Sequence, residues 1–200
     1  MKEAILDKAT EMYMKMGLKG VTLDDIAQEM GISKKTIYQH FSNKNSLVEA
    51  VCMEIVDTIK CNIDNINASI HDPMEELFEI RRYVKQTVEG KYQLIIYQLN
   101  RFFPEIAQKL RSNQFDKMYT SVKSNIERGM AMGLYRKELD KEFISRIYFI
   151  GVSSTKDNEI FHEELFNIGK TTNLFLEYHL RAICTPKGIA LLERYLKEKD

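Results

Sequence analysis

The 200 residues carry 29 basic and 29 acidic side chains, with 44% hydrophobic and 29% charged residues, so the chain is formally neutral. That balance excludes a protein that coats nucleic acid or anionic membrane over its whole surface, and the length fits one large domain or two small ones. Cys52, Cys61 and Cys184 are odd in number and lack C-x-x-C spacing, which argues against a disulfide framework or zinc site and fits a reducing cytoplasm.

The N-terminal MKEAILDKATEMYMKMG places Glu3, Asp7 and Glu11 where a signal peptide needs an apolar stretch, and nowhere does an apolar run approach the roughly 20 residues of a membrane span. Ile5, Ala9, Met12 and Met16 instead repeat at helical spacing, with Gly17 as a C-terminal cap. Thr22-Leu23-Asp24-Asp25 resembles a capping box, with Asp in place of the usual Glu or Gln, opening a short helix that stops at Gly31. Ser33 caps a second short helix ending near His40 or Phe41. Ser42 or Asn43 caps a long fourth helix with apolar positions Leu47, Val51, Ile55, Ile59, Ile63 and Ile66. Asp72-Pro73-Met74-Glu75 starts a helix through Leu77, Arg81, Val84 and Val88 to Gly90. From Lys91 to Arg111 the chain is apolar on several sides, the pattern of a buried helix, and Pro104 interrupts it. Residues 113–132 read as a further helix closed at Gly133, Asp140 caps one through Ile147 and Ile150, and a long one follows Lys156-Asp157-Asn158 from Phe161 to Ile183. Thr185-Pro186 opens a last short helix. With no alternating strand pattern, the expected fold is all-α, with nine or ten helices.

Leu23 to Phe41 forms two short helices around a glycine turn, the arrangement of a helix-turn-helix. Ile37 and Phe41 share an inward face, which leaves Lys34, Lys35, Thr36, Tyr38, Gln39 and His40 outside, and no acid falls between Gly31 and Asn45. Lys, Gln and Thr can meet base edges in a major groove, whereas Tyr, Ser, Thr, Lys and helix N-termini suit phosphates. Ser33 at the helix front and Lys44 at the start of the next helix fit the second role.

The stretch VTLDDIAQEMGISKKTIYQHFSNKNSL resembles the N-terminal signature of TetR-family transcriptional regulators, carried here by Thr22, Ile26-Ala27, Gly31, Ser33, Thr36, Tyr38, Phe41, Lys44 and Leu47. Lys35 stands where the family often has a small residue. The resemblance spans about residues 3–50 and implies a DNA-binding domain over residues 1–46, contacting DNA through Thr22, Ser33, Lys34, Lys35, Thr36, Tyr38, Gln39, His40 and Lys44. Residues 47–200 would then be a helical effector-binding and dimerisation domain. The family implies a cytoplasmic homodimer, usually a repressor, on a near-palindromic operator whose half-sites lie one turn or a multiple apart.

Two further expectations follow from the resemblance. The last two long helices would form the dimer interface through Ile147, Ile150, Phe161, Leu165, Ile168, Phe175 and Leu176, although such a stripe also describes ordinary core. A small-molecule effector, unnamed by the sequence, would lie among the middle helices, where Tyr83, Tyr92, Tyr97, Phe102, Phe103, Met118, Tyr119 and Phe149 could line a cavity or simply be core. An enzyme is not expected. His162-Glu163-Glu164-Leu165-Phe166 lacks the second His of a zinc-protease helix, and there is no G-x-S-x-G or phosphate-binding loop. No cofactor or metal is expected. A helical adaptor of the same fold that has lost DNA binding is the alternative.

Overall fold

The computed structural model describes residues 1–87, 92–155, 160–162 and 167–197. Among these residues the fold is all-α, with ten helices: α1 Lys2–Gly20, α2 Leu23–Met30, α3 Lys34–Tyr38, α4 Lys44–Ser69, α5 Pro73–Gln86, α6 Gln93–Phe102, α7 Pro104–Ala131, α8 Lys141–Ser154, α9 Ile168–Ile183 and α10 Pro186–Lys197. They pack as two compact units, one of Met1–Asn62 with Gln86–Gln114, the other of Ile63–Lys85 with Phe115–Asp200.

In the first unit, Ile5, Ala9, Met12 and Tyr13 of α1 are buried with Leu23, Ile26, Ala27, Ile37, Phe41, Leu47, Val51 and Ile55. Each fully buried aliphatic side chain contributes about 1.5–3 kcal/mol, and this shared core is what holds the short helices in place. The backbone leaves the helical path at Gly17 (φ 76°, ψ 164°), but the element resumes and runs to Gly20, three residues past the expected end. Gly17 is also a close approach: a Cβ there would sit 2.5 Å from Nε2 of Gln98. The Gln98 Oε1 accepts the Lys19 N–H at 2.9 Å, which ties α6 to the end of α1. Asn43 is the cap of α4, its Oδ1 accepting the Ser46 N–H at 2.9 Å.

Pro104 breaks the 91–111 stretch as expected, with α6 ending at Phe102, and it also opens the next helix, because a missing N–H costs nothing in a first turn. That next helix does not wait until residue 113 as expected; α7 runs unbroken for 28 residues from Pro104. Nor is α6 buried all round. Tyr92, Ile95 and Leu99 are buried, while Leu94 and Tyr97 are exposed.

In the second unit, Asp72 caps α5 as expected, its Oδ1 accepting the N–H groups of Met74 (2.8 Å) and Glu75 (3.0 Å). Val88 and Gly90, expected to end this helix, lie outside the described residues, and α5 is described to Gln86. Asp140 caps α8, accepting from Glu142 and Phe143. The α9 helix starts at Ile168, capped by Asn167, and not at Phe161, which sits in a bend before it. The core gathers Met74, Leu77, Leu134, Tyr135, Leu176, Leu180, Ile183 and Leu192. Gly129 makes room for the Tyr135 ring, which a Cβ would meet at 2.0 Å. A polar network crosses this unit: Glu76, only 1% exposed, accepts from Asn125 Nδ2 (2.8 Å) and from Arg128, and the Tyr135 hydroxyl donates to Asn125 Oδ1 (3.3 Å).

His179 lies in the same unit against the Tyr148 ring, centroids 4.6 Å apart. Burial pushes its pKa from 6.5 down to about 4. Between those values the unfolded chain takes up a proton at this imidazole and the folded chain does not, so the contribution is complete above 6.5, is lost as pH falls, and levels off below 4. Urea titrations from pH 8 to 4 should show wild type losing on the order of 3 kcal/mol more stability than His179→Leu over that window.

Candidate nucleic-acid interface

The α2–α3 pair is built by caps at both ends of its turn. Thr22 Oγ1 accepts the Asp25 N–H at 3.2 Å and Asp25 Oδ2 accepts the Thr22 N–H at 2.7 Å, which completes the capping box. The hydrogen bond from that N–H holds the Asp25 carboxyl below its ordinary value. Gly31 then takes the left-handed conformation (φ 63°, ψ 30°) and donates to Gln28, which ends α2 in one residue. Ser33 caps α3, its Oγ accepting the Thr36 N–H at 3.1 Å, with the two hydroxyls 2.9 Å apart. The α3 helix ends at Tyr38, shorter than expected; Gln39 and His40 follow in a turn, and the Phe41 N–H still reaches the Ile37 carbonyl at 3.0 Å.

Ile37 is fully buried and Phe41 nearly so, which orients everything else. Lys34, Lys35, Tyr38, Gln39 and His40 are exposed, as are Thr22 and Ser33, while Thr36 is half-buried. Tyr38 is 48% exposed, a large aromatic side chain left open to water. Two lysines are already engaged. Lys34 Nζ bridges to Asp24 Oδ2 at 2.7 Å, and the hydrogen bond it donates there holds its ammonium above the ordinary value. Lys44 Nζ donates to the Lys19 carbonyl at 3.2 Å, and burial pushes its ammonium down. Asp24 was visible in the sequence only as part of a cap motif; its partner ten residues on could not be read from spacing. A helix with these exposed groups can lie in a major groove and reach both base edges and phosphates.

Residues 5–51 match the model of the bacterial regulatory proteins of the tetR family. The KstR2 transcriptional repressor of Mycolicibacterium smegmatis is 26% identical over 151 residues, which span 72% of each chain. The chain belongs to the TetR family. This TetR-family chain also shares its fold with a transcriptional regulator from Cytophaga hutchinsonii (TM-score 0.78, 19% identity, 92% of this chain and 98% of that one). It is similar as well to SmeT, the repressor of the Stenotrophomonas maltophilia multidrug efflux pump SmeDEF (TM-score 0.72, 17% identity, 93% and 91% covered), which has also been solved as a triclosan complex. The TetR-family chain is therefore a DNA-binding transcriptional regulator.

The remaining candidate residues of this TetR-family regulator fall into both units. Tyr97, Phe102 and Phe103 belong to the first, where Phe103 is half-buried and the Lys19 ammonium lies 4.4 Å from the centre of the exposed Phe102 ring. Tyr83, Met118, Tyr119 and Phe149 belong to the second. There Phe115, which the sequence did not single out, stacks on Tyr119 (5.9 Å) and meets Phe149 edge-on (4.9 Å). Of the dimer candidates, Ile147 and Ile150 are exposed and Phe161 and Phe175 half-buried. Leu176 is 3% exposed in the single chain, within the core, and Leu174 and Tyr178 are the exposed large apolar positions of α9. Leu165 lies outside the described residues, as does the side chain of Ile168. No helix among the described residues is long and apolar enough to cross a membrane.

Gly31 has open space where a Cβ would be, so Gly31→Ala tests the backbone alone. The variant should lose about 1 kcal/mol of stability by thermal melting, because only the left-handed conformation is penalised.

Proposed function

We propose that this regulator is a homodimeric, ligand-responsive repressor that binds a near-palindromic operator through α3. Exposed Lys34, Lys35 and Tyr38 on α3, half-buried Thr36 beside them, and exposed Gln39 and His40 in the turn that follows, all anchored by Ile37 and Phe41, carry the reading. Thr22 and Ser33 supply flanking hydroxyls, and Lys44, with three donors, can hold the Lys19 carbonyl and still face a phosphate. Two-fold symmetry asks for half-sites roughly 34–36 Å apart or a multiple of that. Residues 1–46 act as the DNA-binding domain and 47–200 as the effector and dimerisation domain, a functional division distinct from packing, where the first unit also takes in Gln86–Gln114. The regulator has no catalytic role.

The dimer surface is formed by Phe143, Ile147 and Ile150 of α8 with Leu174 and Tyr178 of α9. All five are exposed in the single chain, and on each helix they recur at three- or four-residue steps. The effector is a small, largely apolar molecule received in the second unit near Phe115, Tyr119 and Phe149, the aromatic grouping of α7 and α8. The triclosan complex of SmeT lends this reading support by analogy of fold. Such a ligand acts by binding two states of the protein with different affinity.

Fluorescence anisotropy with duplexes tiled across the DNA upstream of its own gene should find one bound well above random sequence, with affinity falling steeply as salt rises. Tyr38→Ala and Lys35→Ala should each weaken that binding with helix content intact; equal binding to every duplex, and no effect of either change, would favour the adaptor. Ile150→Glu should convert a dimer to a monomer in light scattering, since a charge enters an apolar contact; an unchanged mass places the interface elsewhere.

A further inference from the structure

We infer that Asp24 is a selectivity residue, holding Lys34 away from the phosphates of DNA that lacks the operator sequence. The inference rests on the DNA-binding reading and deepens it.

The two residues lie in different helices, Asp24 in the first turn of α2 and Lys34 as the first residue of α3. They meet at 2.7 Å with both side chains substantially exposed (66% and 43%). Lys34 follows the Gly31 turn that ends α2, and its long side chain reaches across to Asp24. Asp24 has no part in the cap, since Asp25 alone exchanges hydrogen bonds with Thr22. A first-turn acid suits the α2 N-terminus, but a carboxylate beside a surface that approaches phosphate asks for a further reason.

Charge supplies one. Binding that ignores sequence draws on cations that can neutralise phosphates and release their counterions. While Lys34 stays on Asp24 the pair is neutral and releases none, and the exposed set is left with the single uncommitted ammonium of Lys35 in α3. An exposed ion pair is weak and can be opened. Opening it, however, leaves a bare carboxylate near the backbone. A duplex offsets that repulsion only where it presents Asp24 with a donor, such as the amino group of a cytosine at the groove edge. Random sequence rarely does so in register with the contacts of α3. Asp24 thus lowers the sequence-independent affinity more than the operator affinity.

The test is a salt series with a random-sequence duplex on wild type, Asp24→Asn, Lys34→Gln and the double variant, with the best-bound upstream duplex measured alongside. Asp24→Asn should bind the random duplex on the order of 10-fold tighter at ~50 mM salt, with a salt slope steeper by about 0.9, the release expected of one freed lysine. Its preference for the upstream duplex should narrow. In the Lys34→Gln background the same change should leave the slope unaltered. Asp24→Ala, which also removes the charge, guards against a folding defect peculiar to one variant. Equal gains with and without Lys34 would make Asp24 a merely repelling charge and overturn the inference, as would an unchanged random-duplex affinity. A wild type that binds no duplex would overturn the DNA-binding reading itself, and the wild-type titration alone reveals it.

Discussion

A helix of five residues has no stability of its own, because nucleation costs more than its few hydrogen bonds return. The α3 helix exists because Ile37 and Phe41 are buried among Ile5, Ala9, Ile26, Leu47 and Val51. That burial fixes the roll of the helix as well as its presence. With two side chains turned inward, the polar ones have a single direction left. Everything proposed of this end of the molecule depends on the constraint: a recognition surface on so short a helix is as rigid as the core beneath it. The caps from Ser33 and Thr22 and the left-handed Gly31 then set where the helices begin and end.

The neutral composition takes on meaning against this geometry. The exposed α3 side chains are basic or uncharged, yet Asp24 reaches over from α2 and Lys44 is anchored to a carbonyl. The cationic character of the surface is therefore less than a count of lysines suggests. A regulator must leave the wrong DNA as readily as it holds the right one, and moderated charge serves the first need while shape and hydrogen bonding serve the second.

The capped helix starts were legible in the sequence because their signals are local. Thr22 with Asp25, Ser33, Asp72-Pro73 and Asp140 each satisfy donors two or three residues away, and the chain itself holds both partners. Gly31 was legible for the same reason. Tertiary partners were not. Nothing near Lys44 announces the Lys19 carbonyl, nothing near Gly17 announces Gln98, and nothing near Lys34 announces Asp24. Pro104 was legible as a break but not as the start of α7, because a proline both breaks a helix interior and suits a first turn. The burial of Leu176 was not legible either: an amphipathic helix shows which residues share a face, but not which face meets its own core.

The Glu76 network in the second unit bears on how such a chain changes over time. The carboxylate is sealed from water and answered by Asn125 and Arg128, so exchanging Arg128 alone would strand a buried charge at a cost of about 3–5 kcal/mol. Exchanging both ends of the pair for apolar residues of matching volume can be nearly neutral. The two positions are therefore coupled: either can change at low cost only if the other changes with it, and the interior between α5 and α7 tolerates paired exchange better than single exchange.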